Sequence, residues 1–241
     1  MSTVSRIAIL ITAALLSGPL LAKGKSGRSK VNVHPNQTND GTWTFSAEIN
    51  PYQQSAYLDT GLTYSSLDDW DIALATQNIP LSGQGDPGYQ DDTYLQISKT
   101  LVWSGAVSTI LATQSGYALY SAASGIPGGL GKLHHLDFIN NKFRISDNLQ
   151  LHGGSYYVNA ALSTRNAYFG GLIGFEWSLN DLVLRADYLG GHTNVSGATV
   201  SVNYYRWQNL NTYLGIGIPE QHTGNEFYGL IGFQLSTGSL R

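Results

Sequence analysis

Cysteine is absent from this chain of 241 residues, so a disulfide framework, a thiolate metal site and an acylated lipoprotein anchor are all excluded. Charge is scarce too. Only 12% of the residues are Asp, Glu, Lys or Arg, about half the usual globular share. A basic face is missing: five of the 13 basic residues (Arg6, Lys23, Lys25, Arg28 and Lys30) precede Val31, and all 16 acidic residues lie at Asp40 or later. From Val31 onward 8 basic residues face 16 acidic ones, a net of −8, which argues against binding a phosphate backbone. Sustained helical periodicity is also lacking after residue 30. No glycine-rich phosphate cradle therefore opens a helix.

What is present is polarity without charge. Mean hydropathy is slightly negative, and Ser, Thr, Asn, Gln, Gly and Tyr supply the polar share. A transmembrane barrel has this mixture, because half of each strand meets lipid and half meets a polar interior.

The N-terminus reads as a targeting segment. Arg6 precedes a ten-residue apolar run, Ile7–Leu16, which suits a signal-peptide core and is too short to span a bilayer. Gly18 and Pro19 break it, and cleavage is expected after Ala22. The alternative is an uncleaved anchor helix. Residues 23–40 then read as a solvated, flexible tail, and 41–241 as the folded domain.

From Thr42 the chain alternates with period two in segments of about ten residues, separated by turn signals. Trp43, Phe45, Ala47 and Ile49 share one face of the first segment, and Thr42, Thr44, Ser46 and Glu48 the other. Twelve segments are expected: 42–50, 55–64, 69–79, 92–103, 105–122, 133–145, 149–161, 166–178, 181–191, 198–207, 211–218 and 225–236. Every second connection is short, and the longest are Pro80–Asp91 and Ala123–Lys132. The expected fold is all-β: an antiparallel up-and-down transmembrane β-barrel of about 12 strands. Trp43, Tyr64, Trp70, Trp103, Trp177 and Trp207 fall near segment ends, where an interfacial girdle would sit. A secreted β-sandwich is the alternative, with shorter strands and buried faces that meet each other.

Two segments break the pattern. Leu136 and Phe138 have the opposite parity to Phe143 and Ile145, which a bulge at Asn140–Asn141 would reconcile. Lys99 shares parity with Leu95, Ile97 and Leu101, so it either snorkels, is turned inward by a bulge, or meets a partner subunit.

The export signal, the tandem strands and the closing strand together resemble the bacterial outer-membrane β-barrel class. The closing strand carries the class's alternation in Phe227, Gly229, Ile231, Phe233 and Leu235. It departs from the class by running on through Ser236–Arg241, where the class usually stops on an aromatic residue. The resemblance covers Thr42 to Ser236 and implies an outer-membrane location, contact with outer-membrane lipid and a porin-like passive channel for small solutes.

Parity then assigns the lining. Glu48, Asp59, Asp71, Asp137, Glu176 and Asp187 are expected inward, with Lys142, Arg144 and Arg185, and Glu176 should meet Arg185 across a hairpin. A filled, non-conducting structural or surface-interaction barrel and a secreted sandwich binder are the other functional readings. A monomer is favoured, with no nucleic acid, no metal and no cofactor. Enzymatic readings are weak at this level. Lipid-hydrolysing barrels carry His and Ser on one face, commonly two apart, and His-x-Ser does not occur here. His152 and Ser155 are three apart and face opposite ways unless Gly153–Gly154 bulges. Asp137 near His135 falls short of an acid cluster. His192, His222 and Glu220 lack a metal-ligand spacing, and Asp86, Asp91 and Asp92 lack that of a calcium loop.

Overall fold

A computed structural model of the chain describes residues 41–53, 55–66, 68–83, 92–118, 132–163, 166–223, 226–238 and 240. The expected signal segment 1–22 and tail 23–40 lie outside the described residues.

Twelve strands follow one another in chain order. They are β1 (Thr42–Pro51), β2 (Ser55–Ser65), β3 (Trp70–Gly83), β4 (Asp92–Val102), β5 (Val107–Ala118) and β6 (Lys132–Arg144). The second half comprises β7 (Leu149–Val158), β8 (Phe169–Leu179), β9 (Leu182–Gly191), β10 (Gly197–Trp207), β11 (Leu210–Pro219) and β12 (Tyr228–Ser236). Each pairs antiparallel with its neighbours in sequence, and β1 closes on β12, with Thr44 opposite Ser236 and Ile49 opposite Ile231. All twelve expected segments contain strands, and closure removes the sandwich alternative: among the described residues there is one sheet and no second layer for it to pack on.

Closure also explains why an apolar face stays bare. Phe45, Leu62, Leu74, Leu95, Ile173, Leu214 and Ile231 share the outward parity and are all exposed. Val200, Val202 and Ile216 lie on the same face, across the ladder from Ala186, Leu184 and Gly229. In water such a belt would be an aggregation hazard; in membrane barrels a belt of this kind is the face turned to lipid.

The two ends differ. The turn end carries Gly41, Thr237 and the short connections Ser66–Asp69, Trp103–Ala106, Ile145–Asn148, Asn180–Asp181 and Gln208–Asn209. All five tryptophans of the chain project outward at this end, and Trp43 packs on Tyr64 with ring centroids 4.9 Å apart. The other end, the loop end, has a girdle without tryptophan, formed by Tyr117, Tyr157, Phe169 and Tyr188. The girdle read from the sequence is thus one belt at one end.

Lys99 resolves in favour of snorkelling. It stays outward opposite Trp70 in an unbroken ladder, lies 5.4 Å over that indole ring, and its Nζ donates to the carbonyl of Asp68 in the turn. The bulge expected at Asn140–Asn141 is absent, because β6 pairs without a shift with both β5 and β7. A bulge forms instead where Asp59 faces two residues, Gln77 and Asn78. Asn78 takes φ 65° there, a conformation that Asn tolerates better than most residues. Its N–H donates to Asp59 Oδ1 at 2.7 Å, while Asn50 Nδ2 donates to Oδ2 at 3.0 Å.

Candidate functional site

The inner wall has two sides of different character. On β4 to β7 the inward residues are sealed. Gln96, Ser98, Ile110, Gln114, His134, Leu136, Asn140 and Lys142 are each at most 3% exposed. The apolar members extend into a cluster with Phe138, Tyr156, Val158, Leu172 and Leu189. Two connections at the loop end cover this cluster. Leu162 and Val195 insert into it, Ser163 bridges to Thr193, and the Asn194 amide donates to the Leu162 carbonyl at 2.8 Å. The Tyr156 hydroxyl pins the second connection, 2.8 Å from Thr193 Oγ1 and 3.3 Å from Ser196 Oγ.

This cluster corrects the reading of β6. Leu136 and Phe138 face inward, because the folded-in connections give them an apolar partner inside the barrel. Asp137 therefore faces outward. It sits across the ladder from Thr113 and Tyr157, shares parity with exposed Leu133, Ile139 and Phe143, and cannot line the interior as expected.

At mid-height on β8 to β12 and β1 to β3 several inward residues are smaller and more accessible, whereas toward the ends of these strands Thr44, Tyr57, Asn203, Asn211, Tyr228 and Leu230 are buried. Ser46, Glu48, Gly61, Thr63, Ala73, Ala75, Thr199, Ser201, Gly215 and Gly232 are all half-buried. Glycine has a second use here. Tyr213 lies over Gly232 and Tyr228 over Gly217, as Tyr156 does over Gly170 and His134 over Gly116 on or near the sealed side. A Cβ at those positions would meet the ring, so glycine lets a large side chain lie flat along the wall.

The charged residues converge at mid-wall toward the turn end. Glu176 and Arg185 are cross-strand partners, as expected, with Arg185 Nε 3.4 Å from Glu176 Oε2. Arg185 Nη2 also donates to the Tyr205 hydroxyl at 3.0 Å. Asp187 Oδ1 lies 2.7 Å from His152 Nε2. Asp71 accepts from Ser65 Oγ at 2.5 Å, and Arg144 has the inward parity of Lys142 at the exposed turn end of β6. Asp59 is inward as expected, but both of its oxygens are held by the bulge, which makes it a structural carboxylate. Sequence reasoning missed Asp92, an inward carboxylate beside His134 Nε2. It heads the expected segment 92–103 and shares the parity of Tyr94 and Gln96, the signal that places it inward.

The remaining readings divide. His152 is inward and Ser155 outward, with no bulge at Gly153–Gly154, so these two do not meet. Glu220 accepts from the Tyr188 hydroxyl. The His222 side chain and Asp86 and Asp91 lie outside the described residues.

No family profile and no curated protein matches the chain. Solved structures do share its fold. A KdgM porin in complex with disordered oligogalacturonate aligns at TM-score 0.56 and 10% identity, over 80% of this chain and 98% of that one. A second KdgM porin structure aligns at 0.54 and 12% identity, with the same coverage. A NanC porin aligns at 0.55 and 6% identity, again over 80% and 98%. At these identities the likeness is one of fold: this chain is a twelve-stranded, closed, porin-like β-barrel.

Proposed function

We propose that the protein is a porin-like passive channel for small solutes in the bacterial outer membrane, with its solute path along the accessible wall of β8 to β12 and β1 to β3. The observation that carries this reading is the contrast within the wall. At mid-height, small and polar residues leave room on one side, while the other side is filled. The turn end would be periplasmic, since it carries the chain ends and the short turns. The N-terminal segment would be the export signal, cut after Ala22, and intact Met1 in the membrane-extracted protein, read by mass spectrometry, would refute that cut.

The solute class follows from charge. Inward carboxylates are Glu48, Asp59, Asp71, Asp92, Glu176 and Asp187, against the cations Lys142, Arg144 and Arg185 among the described side chains. This excess favours cations and neutral solutes over polyanions. In that respect the chain differs from what the oligogalacturonate-bound neighbour suggests. In planar bilayers the reconstituted protein is expected to give discrete steps with a cation-selective reversal potential. Absence of steps would favour the second reading, a filled non-conducting barrel, for which the inserted Leu162 and Val195 speak.

A further inference from the structure

The outer face carries a cluster of polar side chains across β5 and β6. Outward on β4 stand Leu95 and Ile97, and outward on β8 stand Ile173 and Phe175. Between them, β5 presents Thr113 and Ser115, and β6 presents His135 and Asp137. The register sets Ser115 directly opposite His135. Ser115 Oγ lies 2.7 Å from His135 Nδ1, and His135 Nε2 lies 2.9 Å from Asp137 Oδ2.

The carboxylate settles the tautomer. An ionised Asp137 can only accept, so Nε2 carries the proton and donates to it. Nδ1 is then a lone pair, and the Ser115 hydroxyl donates to that. The chain of bonds therefore runs nucleophile, base, orienting carboxylate. The two ring nitrogens exchange the roles they hold in serine proteases, which leaves the proton transfer intact because either nitrogen can accept. The group is open to its surroundings. The side chains of His135 and Asp137 are 34% and 49% exposed, and Ser115 is exposed.

Depth points to the substrate. Asp137 stands across the ladder from Tyr157, which packs on Phe169 at 5.1 Å in the loop-end girdle. Aromatic girdles mark the headgroup level of a bilayer, the level at which acyl-ester carbonyls lie. A polar cluster costs little at that depth, whereas an interface between barrels would need no ordered Ser–His–Asp chain.

We propose that Ser115, His135 and Asp137 form an outward-facing esterase site that cleaves acyl esters of membrane lipids. Ser115 Oγ attacks the ester carbonyl carbon as its proton passes to His135 Nδ1. The bond from that carbon to the lipid alcohol breaks, and His135 returns the proton to the departing oxygen. Water then attacks the acyl-serine and gives a proton to His135. The fatty acid leaves, and Ser115 recovers its hydrogen. The hydroxyl of Thr113, two residues away on the same face of β5, is the donor for the transient oxyanion. Asp137 is a positioning residue that holds the ring and its tautomer.

The test uses the full chain in vesicles of phosphatidylethanolamine and phosphatidylglycerol, with free fatty acid and covalent labelling by a fluorophosphonate as readouts. The parent is expected to release fatty acid and to be labelled at Ser115. S115A and H135A should each lower release by about 10³-fold or more, and S115A should abolish labelling. D137N should lower kcat per folded barrel, with the folded fraction read from the heat-dependent gel shift, and should leave KM little changed. The heat-dependent gel shift of a folded barrel, together with bilayer conductance, keeps this test separate from the channel reading, because S115A lies outside the lumen and should leave both unchanged. No release and no label in the parent overturn the proposal, as does label that persists in S115A. Cross-linking between copies through position 115 with no hydrolysis would make the patch a protein interface instead.

Discussion

The two sides of the inner wall use the same strand geometry for opposite ends. Along β4 to β7, inward positions hold large side chains that exclude solvent, and Leu162 and Val195 come down from the loop end to complete an apolar core. At mid-height on β8 to β12 and β1 to β3, inward positions hold small and hydroxylated residues that are only half-buried, although the ends of these strands are packed. A barrel of twelve strands lies between those filled by side chains and those wide enough for an aqueous channel. This chain divides the difference around its circumference. The filled side behaves as a globular core and the other side as a wall.

If that division is right, stability should be concentrated on the filled side. Leu136→Ala removes a fully buried side chain from the cluster and is expected to cost about 2–5 kcal/mol. Thr63→Ala, at an inward and half-buried position of β2, should stay within about 0.5 kcal/mol. Both are measured by denaturant unfolding of the detergent-solubilised barrel, followed by tryptophan emission. Equal losses would erase the distinction between the two sides.

The same contrast shows how much the sequence reveals. Strand number, closure and the outward parity of the closing strand are legible because a lipid-facing stripe must stay apolar over the full height of a strand. The Glu176–Arg185 pair is legible because a tight turn at Asn180–Asp181 fixes its register. Lys99 is placed outward by parity, but only the turn carbonyl of Asp68 shows why an apolar outer surface tolerates it. The β6 strand misleads for a physical reason. An interior that is partly an apolar core inverts the rule that apolar means outward, so Leu136 and Phe138 change places with His135 and Asp137. Nothing in the local sequence announces that two distant connections supply the missing core partners. The Ser115–His135 contact is hidden in the same way. It joins residues on two different strands that the ladder sets opposite each other, and a search along one strand does not find it.

A smaller effect comes from adding one methyl group to each side. A Cβ at Gly116, on the filled side, would stand 2.5 Å from His134 Nε2 and 2.6 Å from the Thr93 carbonyl oxygen. The imidazole is sealed beside Asp92 and the carbonyl belongs to the ladder, so neither can yield easily. Gly116→Ala is expected to cost about 1–3 kcal/mol as overpacking. At Gly61, on the accessible side, the new Cβ would meet Ser46 Oγ at 2.9 Å, a hydroxyl that can rotate away, and next Ala75 Cβ at 3.6 Å. Gly61→Ala should therefore be neutral within about 0.5 kcal/mol, and any residual effect should be stabilising through the unfolded chain. The difference between the two midpoints of unfolding is the measurement. A costly Gly61→Ala would mean that the accessible wall is as tightly packed as the other.

The smallest effect is electrostatic and separates the sides by function rather than by stability. Glu48 projects inward from β1 between Asp59 on β2 and Gly232 on β12, on the accessible wall. Asp92 projects inward from β4 on the filled side, 4% exposed and beside His134. A carboxylate in contact with permeating water attracts a cation at 4 Å by about 1 kcal/mol, and less once salt screens it. Glu48→Gln should accordingly lower the ratio of cation to anion permeability by no more than about fivefold, read as a reversal-potential shift under a potassium chloride gradient. The shift should be largest in dilute salt and fade toward 1 M, where the screening length falls to about 3 Å. Asp92→Asn should move the reversal potential less, because packed protein separates that carboxylate from the water on the other side. Equal shifts from both would mean that ions sense the whole interior, and that the filled side is wetter than its side chains suggest. No shift from Glu48→Gln in a conducting barrel would move the solute path away from β1.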